Sequence, residues 1–295
     1  MDRRQVLAGM AALGMPSVSW AQGSNEVAVA LWKTITGDRA AFEAGMEVVA
    51  QQEGAELVPA LIIAQRFSRF PSGWFDEEMQ RLSGDTTRTG WFNRMLWQEA
   101  HPEVRPPEWY EEFKRAMYIA IDHNFADFLD LQHLARDQTR IRFEEVTWGG
   151  VRKDGIPSLD NPTLIAAGDA GYLRDSDLVF GVSINGDARA YPLRIMGWHE
   201  MFNDVIGGVP VALAYCTLCG SGILFETDVG RDVPLVFGSS GFLYRSNKLM
   251  FDRQTHTLWN QFTGKPVIGS LVKARLELRQ RPVVIAPWGE WKTDN

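Results

Sequence analysis

Both cysteines of the 295-residue chain fall in one short stretch, Ala214-Tyr215-Cys216-Thr217-Leu218-Cys219-Gly220-Ser221-Gly222. An apolar run from Val209 to Tyr215 delivers them into a Gly/Ser loop. The thiolate is the reactive and metal-binding form of cysteine, and a C-x-x-C pair is either a short chelate or a redox couple. Thiolates with imidazoles suit soft or borderline ions, copper or zinc above all. Two cysteines leave a tetrahedral site two ligands short, and His199, upstream of the Val209 strand, is the natural third. A helix, a Gly207-Gly208 turn and one return strand would fold that histidine back over the loop. Glu200, Asp252, water or a substrate would complete the site. The same pair in an oxidising compartment would instead cycle between dithiol and disulfide. Redox cysteines commonly open a helix, whose dipole lowers the thiol pKa. Here Gly220, Ser221 and Gly222 lead into a strand-like Ile223-Leu224-Phe225, a context that favours a chelating knuckle. A small structural disulfide, or two buried thiols, is the plainest alternative. A nucleophilic Cys216 served by His199 ranks last, because so near a second thiol invites oxidation.

The elements that must position these residues follow from pattern. Between Asn25 and about Arg140 the texture is helical. Asp38 can cap a helix carrying Phe42, Met46 and Val49, and Pro59 suits a first helical turn. Trp91–Ala100 is a further helix, and Tyr110, Phe113, Met117 and Ile121 share one helical face. His101, His123 and His133 fall in this region at spacings that share no helix face, and the pairs Glu111-Glu112 and Glu144-Glu145 are expected to be solvated. From about Phe143 strand-like runs alternate with turn signals. Leu178–Ile184, Asn185-Gly186 and Asp187–Leu193 form a hairpin pattern, since both turn residues tolerate positive φ. Arg194–Ile206 is expected to hold one helical turn or three and to end at Gly207-Gly208. Val209–Tyr215, Ile223–Glu226, Pro234–Phe237 and Leu249–Asp252 are candidate strands, with Gly238–Gly241 a flexible turn. Val267–Gly269 and Pro282–Ala286 are expected to pair. No long helix separates successive strands, so the fold class is α+β: a helical N-terminal region, 25–142, followed by a compact β-rich mixed domain, 145–295.

Composition narrows the partners. Residues 1–145 hold 15 Lys/Arg against 22 Asp/Glu, and residues 146–295 hold 15 of each, so no basic stripe speaks for nucleic acid. Gly-x-Gly arrangements near Gly220 and Gly238 lack a strand–turn–helix context and give no nucleotide signal. The start, Met1-Asp2-Arg3-Arg4-Gln5-Val6-Leu7, precedes a short Gly/Ala-rich apolar run, and Ser19-Trp20-Ala21 fits a signal peptidase site. Residues 1–21 are therefore expected to be a signal peptide resembling the twin-arginine type. A periplasmic mature chain without a transmembrane segment follows, and disulfides persist there.

Eight motifs occur in order: Asp154-Gly155-Ile156-Pro157, Ala190-Tyr191-Pro192, Trp198-His199-Glu200, Asn203-Asp204, Gly208-Val209-Pro210, Tyr215-Cys216-x-x-Cys219-Gly220, Phe237-Gly238-x-Ser240-Gly241 and Asp252-Arg253-Gln254-Thr255. The ensemble resembles the bacterial and archaeal family catalogued as domain of unknown function 3179, over roughly residues 145–291. The resemblance implies a domain boundary and a residue list but no reaction. It places His199 in a motif and adds Glu200, Ser240, Asp252 and Arg253 as further pocket candidates. Thr217 stands where that family usually has proline, and His256 matches none of its motifs. The expectation is an exported soluble protein that binds copper or zinc through Cys216, Cys219 and His199. A dithiol–disulfide protein, or a non-enzymatic interaction module with a structural cysteine pair, is the alternative. The partner would be a protein or a small molecule.

Overall fold

The computed structural model describes residues 26–130 and 133–295. The expected signal segment, residues 1–21, lies outside them. The chain divides into two compact units, Met1–Leu131 with Arg142–Glu145, and Gln132–Ile141 with Val146–Asn295. Among the described residues no helix is long and apolar enough to cross a membrane.

The first unit is built from α1 (Glu26–Thr36), α2 (Arg39–Ala50), α3 (Val58–Phe67), α4 (Gly73–Ser83), α5 (Gly90–Ala100) and α6 (Tyr110–Ile121). The Asp38 carboxylate accepts from the Ala41 amide at 2.9 Å, so the expected cap starts α2, and Pro59 sits in the first turn of α3. Helix α3 is buried on nearly every side, as an apolar helix in the middle of a bundle must be. Tyr110, Phe113, Met117 and Ile121 are all buried along α6. The expectation of a solvated Glu144-Glu145 pair is overturned, since both are buried and both pair with Arg142. Lys114 Nζ donates to the carbonyls of Phe143 (2.5 Å) and Glu144 (3.0 Å), and Gln98 Nε2 donates to the latter at 2.8 Å. Adjacent carboxylates look solvated in sequence because the helices that bury them, α5 and α6, lie far upstream. Burial pushes the Lys114 ammonium well below its usual pKa, and Glu144 opposes the shift.

The second unit has three sheets. The first takes β1 (Val146–Trp148), β8 (Phe237–Tyr244), β9 (Asn247–Asp252), β10 (Leu258–Asn260) and β11 (Lys265–Ile268), in that order. The second runs β12 (Gln280–Arg281), β7 (Ser221–Glu226), β6 (Val209–Cys216), β5 (Met201–Ile206), β2 (Leu159–Asp160). The third is β13 (Val284–Pro287), β3 (Leu178–Ile184), β4 (Asp187–Pro192). Short helices α7 (Leu193–His199) and α8 (Trp288–Asp294) follow β4 and β13. The second sheet is the middle layer. Its Phe202, Ile206, Val211, Leu213 and Leu224 pack on Phe180, Val182, Tyr191 and Met196. Its Met201, Ala212, Ala214 and Phe225 pack on Phe237, Met250 and Trp259 of the first sheet. Strand β6 alternates between the two cores, so Cys216 follows Ala212 and Ala214 toward the first sheet.

Several expectations need correction here. Arg194–Ile206 is a helix only to His199; Glu200 takes a left-handed conformation and β5 follows. Trp198 and Val205, counted as apolar helix positions, are solvent-exposed, while Phe202 and Ile206 face one core at strand spacing. Gly207-Gly208 is consequently the turn of the β5–β6 hairpin. Gly238–Gly241 is no flexible turn but the buried, bulged centre of β8, and of Pro234–Phe237 only Phe237 belongs to that strand. Gly and Ser there mark a bulge and close approach, which the same residue types also signal. Residues 267–268 and 284–286 pair with β10 and β3, not with each other.

Gly222 shows how tightly β7 meets the third sheet. A Cβ there would lie 2.4 Å from the Phe180 ring, whereas one at Gly197 of α7 would meet nothing within 4 Å. Gly222→Ala is expected to lower unfolding free energy by about 1–3 kcal/mol in urea titrations, and Gly197→Ala is expected not to lower it. Equal stability of the two variants would contradict this packing.

Candidate functional site

Strand β6 ends at Cys216 and β7 begins at Ser221, its register partner, so the cysteines belong to a tight strand–turn–strand connection. The Cys219 amide donates to the Cys216 carbonyl at 3.2 Å, closing a turn, and Gly220 completes the return at φ +62. The turn brings the two sulfur atoms to 2.8 Å, close but not bonded. They differ in setting, for Cys216 is only 3% exposed and Cys219 lies open to solvent.

Side chains from three other elements surround them. Asn247, at the start of β9, donates from Nδ2 to Cys219 Sγ at 3.4 Å, and Cys219 Sγ lies 3.7 Å from the Ser246 carbonyl. Asn247 also donates to Gln261 Oε1 (3.1 Å), while Gln261 Nε2 donates to the carbonyls of Ala214 (2.8 Å) and Ser221 (3.0 Å). Glu200 sits at the C-terminal end of α7, and its carbonyl accepts from the Tyr215 amide at 2.9 Å. Its carboxylate accepts from Thr217 Oγ1 (2.6 Å) and from Lys248 Nζ (3.1 Å). Thr217, where the family resemblance led one to expect proline, thus contributes a hydroxyl that proline lacks.

Burial and the hydrogen bond with Cys219 push the Cys216 thiol above its ordinary pKa, while the amides of Cys219 and Lys248 pull the other way. Burial lowers the Lys248 pKa and Glu200 opposes it. Removing either partner of such a buried pair leaves an uncompensated charge, at a cost of about 3–5 kcal/mol.

The sequence-derived candidates sort as follows. Cys216, Cys219 and Glu200 are together. His199 precedes Glu200 in the chain, but its Nδ1 lies 2.9 Å from the Pro157 carbonyl. Arg253 pairs with Asp154 at 2.8 Å and bonds Ser158. Asp252 is fully buried, accepting from Thr255 and from Trp259 Nε1 at 2.9 Å. Ser240, also fully buried, donates to the Leu249 carbonyl and accepts from the Phe242 amide. Both therefore pin strands and turns. Among the described residues no group of three or more His, Cys, Asp or Glu side chains is placed to hold a metal ion. Sequence reasoning passed over Asn247 and Lys248 and noted Thr217 only as a departure from proline. The available signal was a lysine at the head of the apolar run Leu249-Met250-Phe251, two positions from the core residue Met250 and hence on its face.

Two hollows among the described residues of this unit bear on the site. A shallow one of about 410 Å³ is lined by Arg194, Ile195, Trp198 and His199, beside Glu200 in the chain. A larger one of about 550 Å³, walled by Tyr191, Met196, Trp288 and Trp291, has no cysteine, histidine, aspartate or glutamate in its lining. The thiol chemistry therefore does not belong to the larger hollow. Iodoacetamide at neutral pH is expected to alkylate Cys219 first, with Cys216 following only as pH rises past the ordinary thiol range, as read by peptide mass spectrometry of the reduced protein. Faster labelling of Cys216 at neutral pH would contradict the burial and the raised pKa.

No curated protein and no solved structure matches the chain. Residues 153–295 match the model of a family described as protein of unknown function (DUF3179). That span covers nearly all of the β-rich C-terminal domain and holds both cysteines, Glu200, Asn247 and Lys248, so the similarity to that family lies in the unit that carries the thiol turn.

Proposed function

We propose that the Cys216–Cys219 turn is a dithiol–disulfide couple. The carrying observation is the sulfur pair itself, 2.8 Å apart with one thiol exposed and the other buried. The exposed Cys219 thiolate attacks one sulfur of a partner disulfide. That S–S bond breaks, the departing sulfur leaves as a thiolate and takes up a proton, and a mixed disulfide forms on Cys219. Cys216 then gives its proton to solvent and attacks Cys219 Sγ, expelling the second partner thiolate, which is protonated in turn. One protein dithiol and one partner disulfide become one protein disulfide and two partner thiols, with two electrons and two protons passing to the partner. The reverse sequence oxidises a partner dithiol. Asn247 Nδ2 and the backbone amides supply donors to the sulfurs. The twin-arginine-like start of the sequence supports an oxidising, exported setting for this chemistry.

A second reading, a copper or zinc ion held by the same thiols, draws on His199. A ring whose Nδ1 donates to a carbonyl, here that of Pro157, keeps the Nε2 lone pair available, the second-shell arrangement of metal-binding histidines. Two thiolates and an imidazole are donor types that such an ion takes, and with the three not gathered around one point here, this reading rests on their chemistry alone; the ion would hold the turn or present a Lewis acid there.

Equilibration in glutathione buffers of graded potential, followed by alkylation and mass measurement, is expected to give a reversible two-electron transition that either Cys216→Ser or Cys219→Ser abolishes. A thiol state independent of potential would sink the redox proposal. Stoichiometric copper or zinc in the purified wild type, lost in Cys216→Ser, would establish the second reading; substoichiometric metal, or equal metal in both proteins, would dismiss it.

A further inference from the structure

The two most exposed large apolar side chains among the described residues both flank the thiol turn: Trp198 at 80% and Leu218 at 76%. Leu218 stands between the two cysteines, and Trp198 precedes His199 and Glu200 at the end of α7. The two elements are tied through the Thr217–Glu200 hydrogen bond of 2.6 Å. Trp198 also walls the hollow of about 410 Å³ with Ile195, Arg194 and His199, so the indole stands at the edge of an indentation on α7. Isolated exposed leucines are ordinary, but tryptophan and leucine this bare beside an open thiol mark a surface that another molecule covers. The cations on these elements have partners within the chain: Lys248 pairs with Glu200, Arg194 of the hollow donates to the Tyr172 carbonyl at 2.6 Å and lies 3.7 Å from Asp177, and Arg245 lies over the Tyr244 ring, an arrangement that favours an apolar neighbour over the carboxylates of a small charged thiol such as glutathione.

We propose that this surface receives an extended polypeptide whose cysteine is flanked by a large apolar residue, with Leu218 and Trp198 gripping that neighbour while Cys219 meets the sulfur. The proposal rests on the dithiol reading for its chemistry, yet its docking component can be measured without any sulfur transfer.

The experiment uses the full chain and two model peptides that differ only in the residues flanking one position, leucine and phenylalanine in one and asparagine and glycine in the other. With serine at that position the peptides cannot react, and calorimetric titration reads docking alone. The apolar peptide is expected to bind wild-type protein about tenfold more tightly than the polar one, the gain from covering one large apolar side chain. Leu218→Ser and Trp198→Ser should each erase most of that difference. Val233→Ser, a change at an exposed apolar residue in the loop before β8, should preserve it. Equal binding of the two peptides by wild type, or a preference that survives both substitutions, overturns the docking surface. With a mixed disulfide at the same position, the apolar peptide should be reduced faster than the polar one and faster than glutathione disulfide. Apolar binding without reduction of any of the three would sink the dithiol reading while leaving the surface in place.

Discussion

The site depends on one residue, Glu200, which joins three pieces of chain. Its left-handed backbone stops α7 and turns the chain into β5. Its carbonyl takes the Tyr215 amide at the end of β6. Its carboxylate bonds the Thr217 hydroxyl in the thiol turn and the Lys248 ammonium from β9. Helix, turn and facing sheet are thereby registered at the point where the cysteines emerge. A left-handed backbone costs a non-glycine residue energy, of order 1–3 kcal/mol, and such strain persists only where surrounding contacts fix it. Here the fixing contacts include the ion pair with Lys248.

Around that joint the middle sheet supplies rigidity and asymmetry. Both faces of β6 are buried, so the strand cannot slip by one residue without exchanging the residues of two cores. The register therefore dictates that Cys216 points inward, and the turn then dictates that Cys219 points out. A buried thiol with a raised pKa makes a poor first nucleophile but a protected second one, and an exposed thiol beside an amide donor suits the first attack. The division of labour follows from strand parity and turn geometry.

Much of this was legible beforehand. The Asp38 cap, the face of α6 and the Asn185-Gly186 hairpin follow from local rules and stand in the structure. The thiol pair was located from two residues and the glycines after them. What escaped was contact between distant segments. Nothing local announces that Lys248 meets Glu200, or that Lys114 meets the Glu144 carbonyl. The His199 ring bonds the Pro157 carbonyl, from the segment before β2, a partner that sequence reading had no means of placing. Met201–Ile206 was taken for helix because apolar residues at 198, 201, 202 and 205 also fit a 3.6-residue period, an ambiguity that only burial resolves. Gly238–Gly241 failed for the same reason, since glycine and serine mark bulges as well as turns.

The central claim, that one turn holds a reversible sulfur couple on an unchanged scaffold, is tested most directly by the ¹³Cβ resonances of Cys216 and Cys219 in protein labelled at cysteine. Between reducing and oxidising glutathione buffers both resonances should move together from thiol to disulfide positions and return on re-reduction, with the backbone amide spectrum changing only around the turn and the residues that touch it. Cysteine resonances that hold the same position in both buffers would contradict the account.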